Sequence, residues 1–133
     1  MSTVKAPTNP EADPRVKAVF DDIRTTRNTD FIGNVWKYLA FDPPLLESVW
    51  GEIKEVMMAE TLIDSKTKEM IYAAVSIANG CEYCIHSHTK QAKAKGMTDA
   101  EHAELIRIVM LATKTNALAD ALQLPLDPEL DAG

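Results

Sequence analysis

Two cysteines and a histidine stand close together in the second half of the chain, at spacings that align side chains on a helix. Cys81 and Cys84 are three residues apart, and His88 follows four residues after the second cysteine. Side chains at these helical spacings lie about 5–6 Å apart at Cβ, so we expect the three to form one stripe. Two thiols beside an imidazole favour thiol redox chemistry.

The chemistry expected of this stripe is a dithiol–disulfide cycle, because a thiolate is the species that attacks a peroxide or a disulfide. A free cysteine has a pKa of about 8.5. We expect the first turn of a helix to lower it, and His88 to accept the thiol proton. The other cysteine can then close an intramolecular disulfide before irreversible over-oxidation.

Glu69 is a further candidate, twelve residues before Cys81 and near the start of an apolar helix. Partial burial there is expected to raise its pKa toward neutrality, so that it exchanges protons with a cysteine or histidine. The alternative is a solvated acid that the helix dipole stabilises. His86 and His102 are interpreted as ordinary surface or core histidines.

A Cys-x-x-Cys pair also leaves structural and metal-binding interpretations open. Zinc would take Cys81, Cys84 and His88, with His86 as the obvious fourth ligand. His86 lies on the other side of the predicted helix, which would have to unwind. We therefore expect no bound metal, and nothing in the sequence calls for a cofactor.

The elements that must position these side chains are all predicted to be helical. Helix caps or helical spacing of apolar residues mark six segments, residues 14–27, 31–40, 43–58, 65–80, 81–95 and 98–119. The second of them is predicted as a short helix or a tight turn. No alternating strand pattern or Asn-Gly or Asp-Gly turn appears. The predicted fold class is all-α, a single-domain helical bundle of about six helices over residues 1–133, with a flexible arm over 1–12 and an irregular tail over 123–133.

Two of these segments carry long apolar runs, over residues 70–78 and 105–112. Such helices should be buried on most sides, which is a large surface for one small domain to cover. Part of it is expected to be buried between subunits of a homo-oligomer. The alternative is the core of a compact monomer.

The composition excludes several classes of partner. The 133 residues suit one domain, and the formal net charge of −6 argues against a nucleic-acid partner. No apolar stretch is long enough to cross a membrane, and residues 1–15 lack the apolar core of a secretory signal. We therefore expect a cytoplasmic protein without a membrane partner, in which a close cysteine pair serves redox or metal chemistry.

The segment Glu69-(x)11-Cys81-x-x-Cys84-x-x-x-His88 resembles the signature of the AhpD-like alkylhydroperoxidases of the carboxymuconolactone decarboxylase superfamily. The wording SIANGCEYCIHSHTKQAKAKGMT is similar to the core of that family. The resemblance is firm over about residues 60–112, the expected redox core, and weaker over the N-terminal helices.

The resemblance implies an all-helical homo-oligomer, a trimer or hexamer. It also implies that Cys84 is the peroxidatic nucleophile, that Cys81 is the resolving cysteine, and that Glu69 and His88 form a proton relay. The better-studied members carry a histidine between the two cysteines, where this chain has Tyr83.

The implied function is a thiol-dependent peroxidase that reduces an alkyl hydroperoxide and is recharged by a dithiol or protein electron donor. The sister branch of true carboxymuconolactone decarboxylases lacks the cysteine pair, so the motif argues against that activity. The tyrosine at position 83 motivates an alternative, a thiol–disulfide exchange partner or redox sensor without a dedicated peroxide substrate.

Overall fold

The computed structural model describes residues 1–131, so the last two residues of the tail predicted as irregular, 132 and 133, lie outside the described part. Within it the chain is all-α, as predicted, with no strand. The α-helices are α1 (Pro14–Arg27), α2 (Asn34–Leu39), α3 (Pro43–Ile53), α4 (Ser65–Ala78), α5 (Glu82–Ala94) and α6 (Asp99–Ala121).

Shorter elements complete the described chain. Single 3₁₀ turns span Pro10–Ala12 and Pro128–Leu130, and a π-helical turn, Lys54–Met58, continues α3. The segment predicted as a helix to residue 58 is therefore an α-helix that ends in a wider turn. The first of the 3₁₀ turns is tied to α1, because Arg24 donates a 2.8 Å hydrogen bond to Glu11.

The chain divides into two compact units, Met1–Glu60 and a second that begins at Thr61. The single domain over residues 1–133 stays a prediction. Every candidate site residue named above lies in the second unit.

The first unit is built on the amphipathic face of α1. Asp13 caps this helix by accepting the Arg15 N–H, and Pro14 occupies its first position. The apolar residues spaced along α1 face inward, and the buried cluster contains Val16, Val19, Phe20, Ile23, Ile32, Trp36, Ala40, Leu46 and Trp50. The indole N–H of Trp50 is satisfied by Asp22 at 2.7 Å.

The second unit consists of α4, α5 and α6. Asp64 caps α4, and Thr98 and Glu101 form the predicted capping box at the start of α6. Its buried core is small, with Ala92, Met97 and Leu105 packed against apolar residues of α4 and Val109. This core holds α4 and α5 together beside the candidate residues.

The apolar helices α4 and α6 are less covered than the sequence predicts. On α4, Ile71 and Val75 are about half exposed, at 50% and 53%. On α6, Ile106, Ile108 and Leu111 are exposed as well. The expectation that both helices are buried on most sides is wrong for the single chain, because the packing of α4, α5 and α6 leaves these apolar side chains exposed. No helix among residues 1–131 has the length and apolarity needed to cross a membrane.

Candidate functional site

The turn between α4 and α5 places Cys81. The Gly80 N–H donates to the carbonyl of Ile77 and the Cys81 N–H to that of Ser76, at 3.1 and 3.0 Å. This pattern is a Schellman motif, which requires a left-handed residue after the helix, and Gly80 supplies it with φ = 68°. Cys81 therefore follows the end of α4 after two residues and serves as the N-cap of α5.

The two cysteines form a disulfide at the start of α5. Their Cα atoms are 5.3 Å apart, within the usual range for such a bridge. Cys81 lies just outside the helix rather than inside it, and its Sγ accepts the Cys84 N–H at 3.3 Å. The sulfur of Cys81 thus takes the capping position, where free N–H groups favour negative charge once the bridge is reduced. Both cysteines are partly exposed.

His88 lies one helical turn after Cys84, and both belong to α5. The expected i, i+4 relationship between the second sulfur and the imidazole is therefore present. The Nδ1 side of the imidazole is hydrogen-bonded to α4, because His88 Nδ1 lies 2.7 Å from Glu69 Oε2. Both side chains are largely buried, with 16% of His88 and 5% of Glu69 exposed.

Lys95 completes the surroundings of the carboxylate. Its Nζ lies 3.2 Å from Glu69 Oε1, so the two oxygens of Glu69 have different partners. Burial is the largest effect on this group and raises its pKa. The hydrogen bond from His88 and the positive charge of Lys95 together outweigh it and hold the pKa of Glu69 below its ordinary value.

This finding corrects the prediction for Glu69. The sequence predicts a carboxyl group whose pKa is raised toward neutrality. That prediction is wrong because it considers burial without the hydrogen bond from His88 and the positive charge of Lys95. Glu69 is also not a solvated first-turn acid, since it is buried. An ionised carboxylate only accepts hydrogen bonds, so Nδ1 of His88 carries the hydrogen and Nε2 is the basic nitrogen of the neutral ring.

Tyr72 packs on the imidazole from α4. The rings of Tyr72 and His88 are stacked, with centroids 3.6 Å apart and planes 21° from parallel. The stack restricts rotation of the imidazole, while the carboxylate of Glu69 sets which nitrogen carries the hydrogen.

The sequence interpretation missed both Tyr72 and Lys95. Tyr72 stands three residues after Glu69 on α4, and Lys95 stands seven residues after His88 at the end of α5, so helical spacing puts each on the face of a predicted site residue. Tyr83 and His86 are exposed and His102 is partly buried. Across residues 1–131, no group of three or more histidine, cysteine, aspartate or glutamate side chains is arranged to hold a metal ion.

Comparison with known proteins identifies the family of this chain. Residues 44–127 match the carboxymuconolactone decarboxylase family. The match covers more than half of the chain, and the chain belongs to that family.

A solved structure described as the alkylhydroperoxidase AhpD core from Rhodospirillum rubrum has the same fold. It is 52% identical, with a TM-score of 0.95 over 100% of this chain and 99% of that chain. The predicted resemblance to AhpD-like proteins is thereby confirmed. A curated relative, "Uncharacterized protein 4 in cox locus" from Paracoccus denitrificans, is 33% identical over 61 residues, which are 46% of this chain and 55% of the relative. The match thus spans about half the length of that relative.

Proposed function

We propose that this protein is a thiol-dependent peroxidase that reduces alkyl hydroperoxides through the Cys81–Cys84 pair. The observation that carries the proposal is the arrangement around His88. This imidazole follows Cys84 by one turn of α5, and its Nδ1 is held at 2.7 Å by the buried Glu69. A base oriented in this way beside a redox-active pair suits the activation of a thiol.

In the first step, His88 Nε2 accepts the proton of the Cys84 thiol. The thiolate attacks the terminal oxygen of the hydroperoxide, so that an S–O bond forms and the O–O bond breaks. The alcohol leaves with the proton returned by the imidazolium, and Cys84 becomes a sulfenic acid. Glu69 stabilises the transient positive charge on His88 through the hydrogen bond to Nδ1.

In the second step, Cys81 attacks the oxidised sulfur of Cys84, the disulfide forms and water leaves. The capping position of Cys81 favours its thiolate, which makes it a suitable resolving nucleophile. An external dithiol, small molecule or protein, then supplies two electrons and two protons and restores both thiols. The disulfide present in the structure corresponds to the end of this second step.

The family also contains decarboxylases, but decarboxylation of a lactone needs no dithiol. The disulfide pair, its N-capping position and the likeness to the alkylhydroperoxidase AhpD core of Rhodospirillum rubrum all favour peroxide reduction. No cofactor is needed for the cycle. A cytoplasmic location is part of the proposal, because a reducing compartment supplies the electrons that recharge the pair.

The proposed assembly is a homo-oligomer, a trimer or hexamer. Its support is the amount of apolar surface that a single chain leaves exposed on two helices, including Ile71 and Val75 on α4 and Ile108 and Leu111 on α6. Large exposed apolar surface is typical of a subunit interface.

A second candidate function is thiol–disulfide exchange with another protein, in the manner of a redox partner or sensor. Tyr83 favours it, since this exposed position holds no histidine to extend the relay. Fast exchange with a protein disulfide together with slow peroxide reduction would support this candidate, and the reverse rates would exclude it.

The experiment that tests the proposal is the rate of hydroperoxide reduction with a panel of thiol donors, for wild type and the Cys84→Ser variant. We expect the variant to lose turnover with every donor. The Cys81→Ser variant is expected to stop at a trapped sulfenic acid, detected by mass spectrometry as one added oxygen. Equal rates for wild type and Cys84→Ser would contradict the proposal.

A further inference from the structure

Lys95 is held at a fixed place beside the candidate site by the end of α5. It is the C-cap of this helix, and its N–H donates to the carbonyls of Gln91 and Ala92. Gly96 follows with φ = 103° and turns the chain away. The backbone from which the lysine side chain extends is therefore fixed by the cap.

The ion pair of Lys95 differs from that of its neighbour Lys93 in how far the partner is buried. Its partner, Glu69, is 5% exposed and Lys95 itself is 24% exposed. Lys93, two residues earlier, pairs with Asp99 at 46% and 94% exposure. A solvated pair such as the second has little effect on its partners, whereas a charge beside a buried carboxylate is weakly screened.

We propose that Lys95 is a positioning residue of this site, whose ammonium group fixes one oxygen of Glu69 so that the other accepts the Nδ1 hydrogen of His88. This role of Lys95 in catalysis rests on the proposed thiol function. It depends on the two distances to the carboxylate, 3.2 Å from Lys95 Nζ and 2.7 Å from His88 Nδ1.

The charges of the three groups explain what this achieves. With Lys95 present, the negative charge of Glu69 is already balanced, so the carboxylate does not need an imidazolium as its counter-ion. The imidazole of His88 can then act as a base through Nε2. Without the lysine, the buried carboxylate of Glu69 takes the imidazolium of His88 as its counter-ion, so the proton is held on the imidazole, which ceases to be a base.

The groups around His88 bear on the same equilibrium. In the described contacts these are Glu69 and the stacked Tyr72, both from α4. Lys95 acts through Glu69, whose other oxygen it contacts, and Cys84 stands one helical turn before His88 on α5. Of these, Lys95 is the positive charge paired with Glu69, so removing it changes the local charge balance by a full unit.

The test is an NMR titration of the His88 ring in the full chain with the disulfide intact, its signal assigned by its loss in His88→Gln. In Lys95→Met we expect the midpoint of His88 to rise by about one pH unit. Lys95→Gln, which removes the charge but keeps a hydrogen-bond donor, should move it in the same direction. If Lys95→Met does not fold, the midpoint measured in Lys95→Gln tests the role of Lys95 by itself.

Two variants serve as controls. Lys95→Arg keeps the charge and should restore the wild-type midpoint, and Lys93→Met should leave it unchanged. A wild-type midpoint in both Lys95→Met and Lys95→Gln overturns the inference. So does a shift in Lys95→Arg as large as that in Lys95→Met, because the effect would then not depend on charge.

The oxidised protein carries no thiol, so this result is independent of peroxide chemistry. A shifted midpoint in a protein that consumes no hydroperoxide would refute the peroxidase and retain the role of Lys95. Full peroxidase activity with an unshifted midpoint would retain the peroxidase and refute the role of Lys95. In reduced protein that is active, the acid limb of the rate profile should move with the midpoint.

Discussion

Glu69 Oε2 and His88 Nδ1 lie 2.7 Å apart, joining α4 to α5. The pair is largely buried, yet the carboxylate keeps a pKa below its ordinary value. This combination makes Glu69 a permanent acceptor for the imidazole.

The first prediction separates the base from the group that orients it. Replacing His88 by Gln removes the proton acceptor and should lower hydroperoxide turnover at neutral pH by about 100-fold or more. Glu69→Gln keeps the shape but not the charge and should cost less, about tenfold. Steady-state rates with a fixed thiol donor measure both, and His86→Gln, at an exposed position on the same helix, is the control that should retain activity. Equal rates for His88→Gln and wild type would contradict the proposed base.

The second prediction concerns stability against pH. Because the folded-state pKa of Glu69 is lowered, the stability it contributes is fully present above its unfolded value near 4.5 and is lost as pH falls through the lower folded value. The free energy of unfolding of wild type should therefore decline more steeply below about pH 4.5 than that of Glu69→Gln. Urea unfolding of the oxidised proteins measures this, with Glu104→Gln, an exposed acid on α6, as the control that keeps the wild-type slope. Parallel slopes for wild type and Glu69→Gln would show that the ionised Glu69 adds no stability.

The third prediction concerns Tyr83, which lies immediately before Cys84 and is exposed. Tyr83→His introduces a base within the first turn of α5 and should raise the rate of peroxide reduction by about tenfold, while protein-disulfide exchange changes less. Tyr83→Phe, which introduces no base, is the matched control. A histidine variant no faster than the phenylalanine variant would mean that the site does not use a base at this position.

The fourth prediction concerns assembly through the exposed apolar surface of α6. Leu111→Glu places a charge in that surface and should reduce the oligomer to smaller species in sedimentation or light scattering. Thr113→Glu adds the same charge on the same helix at a polar position and should leave the assembly intact. Wild type that sediments as a monomer would remove the proposed interface altogether.

The sequence alone predicts much of the fold because its signals are local. Asp13 followed by Pro14, and Thr98 followed by Glu101, mark helix starts through contacts within one turn. The relation between Cys84 and His88 is local as well, since helical spacing fixes it once α5 is a helix.

The parts that were missed depend on packing between helices. Tyr72 reaches His88, and Lys95 reaches Glu69, only because α4 and α5 pack side by side. The direction of the pKa shift of Glu69 follows from that packing, because burial alone would raise it. The burial of α4 and α6 likewise could not be predicted, because the apolar pattern of a helix does not specify which surface packs against it.

The central claim, that the cysteine pair converts a hydroperoxide into an alcohol at the expense of two thiols, is tested most directly by a single-turnover measurement. Fully reduced protein is mixed with an organic hydroperoxide in the absence of any donor, and hydroperoxide, thiols and disulfide are counted together. The account predicts that each hydroperoxide consumed yields one alcohol and one Cys81–Cys84 disulfide, and that Cys84→Ser consumes none above buffer. Reduced wild-type protein that leaves every organic hydroperoxide intact, with both thiols still free, would contradict it.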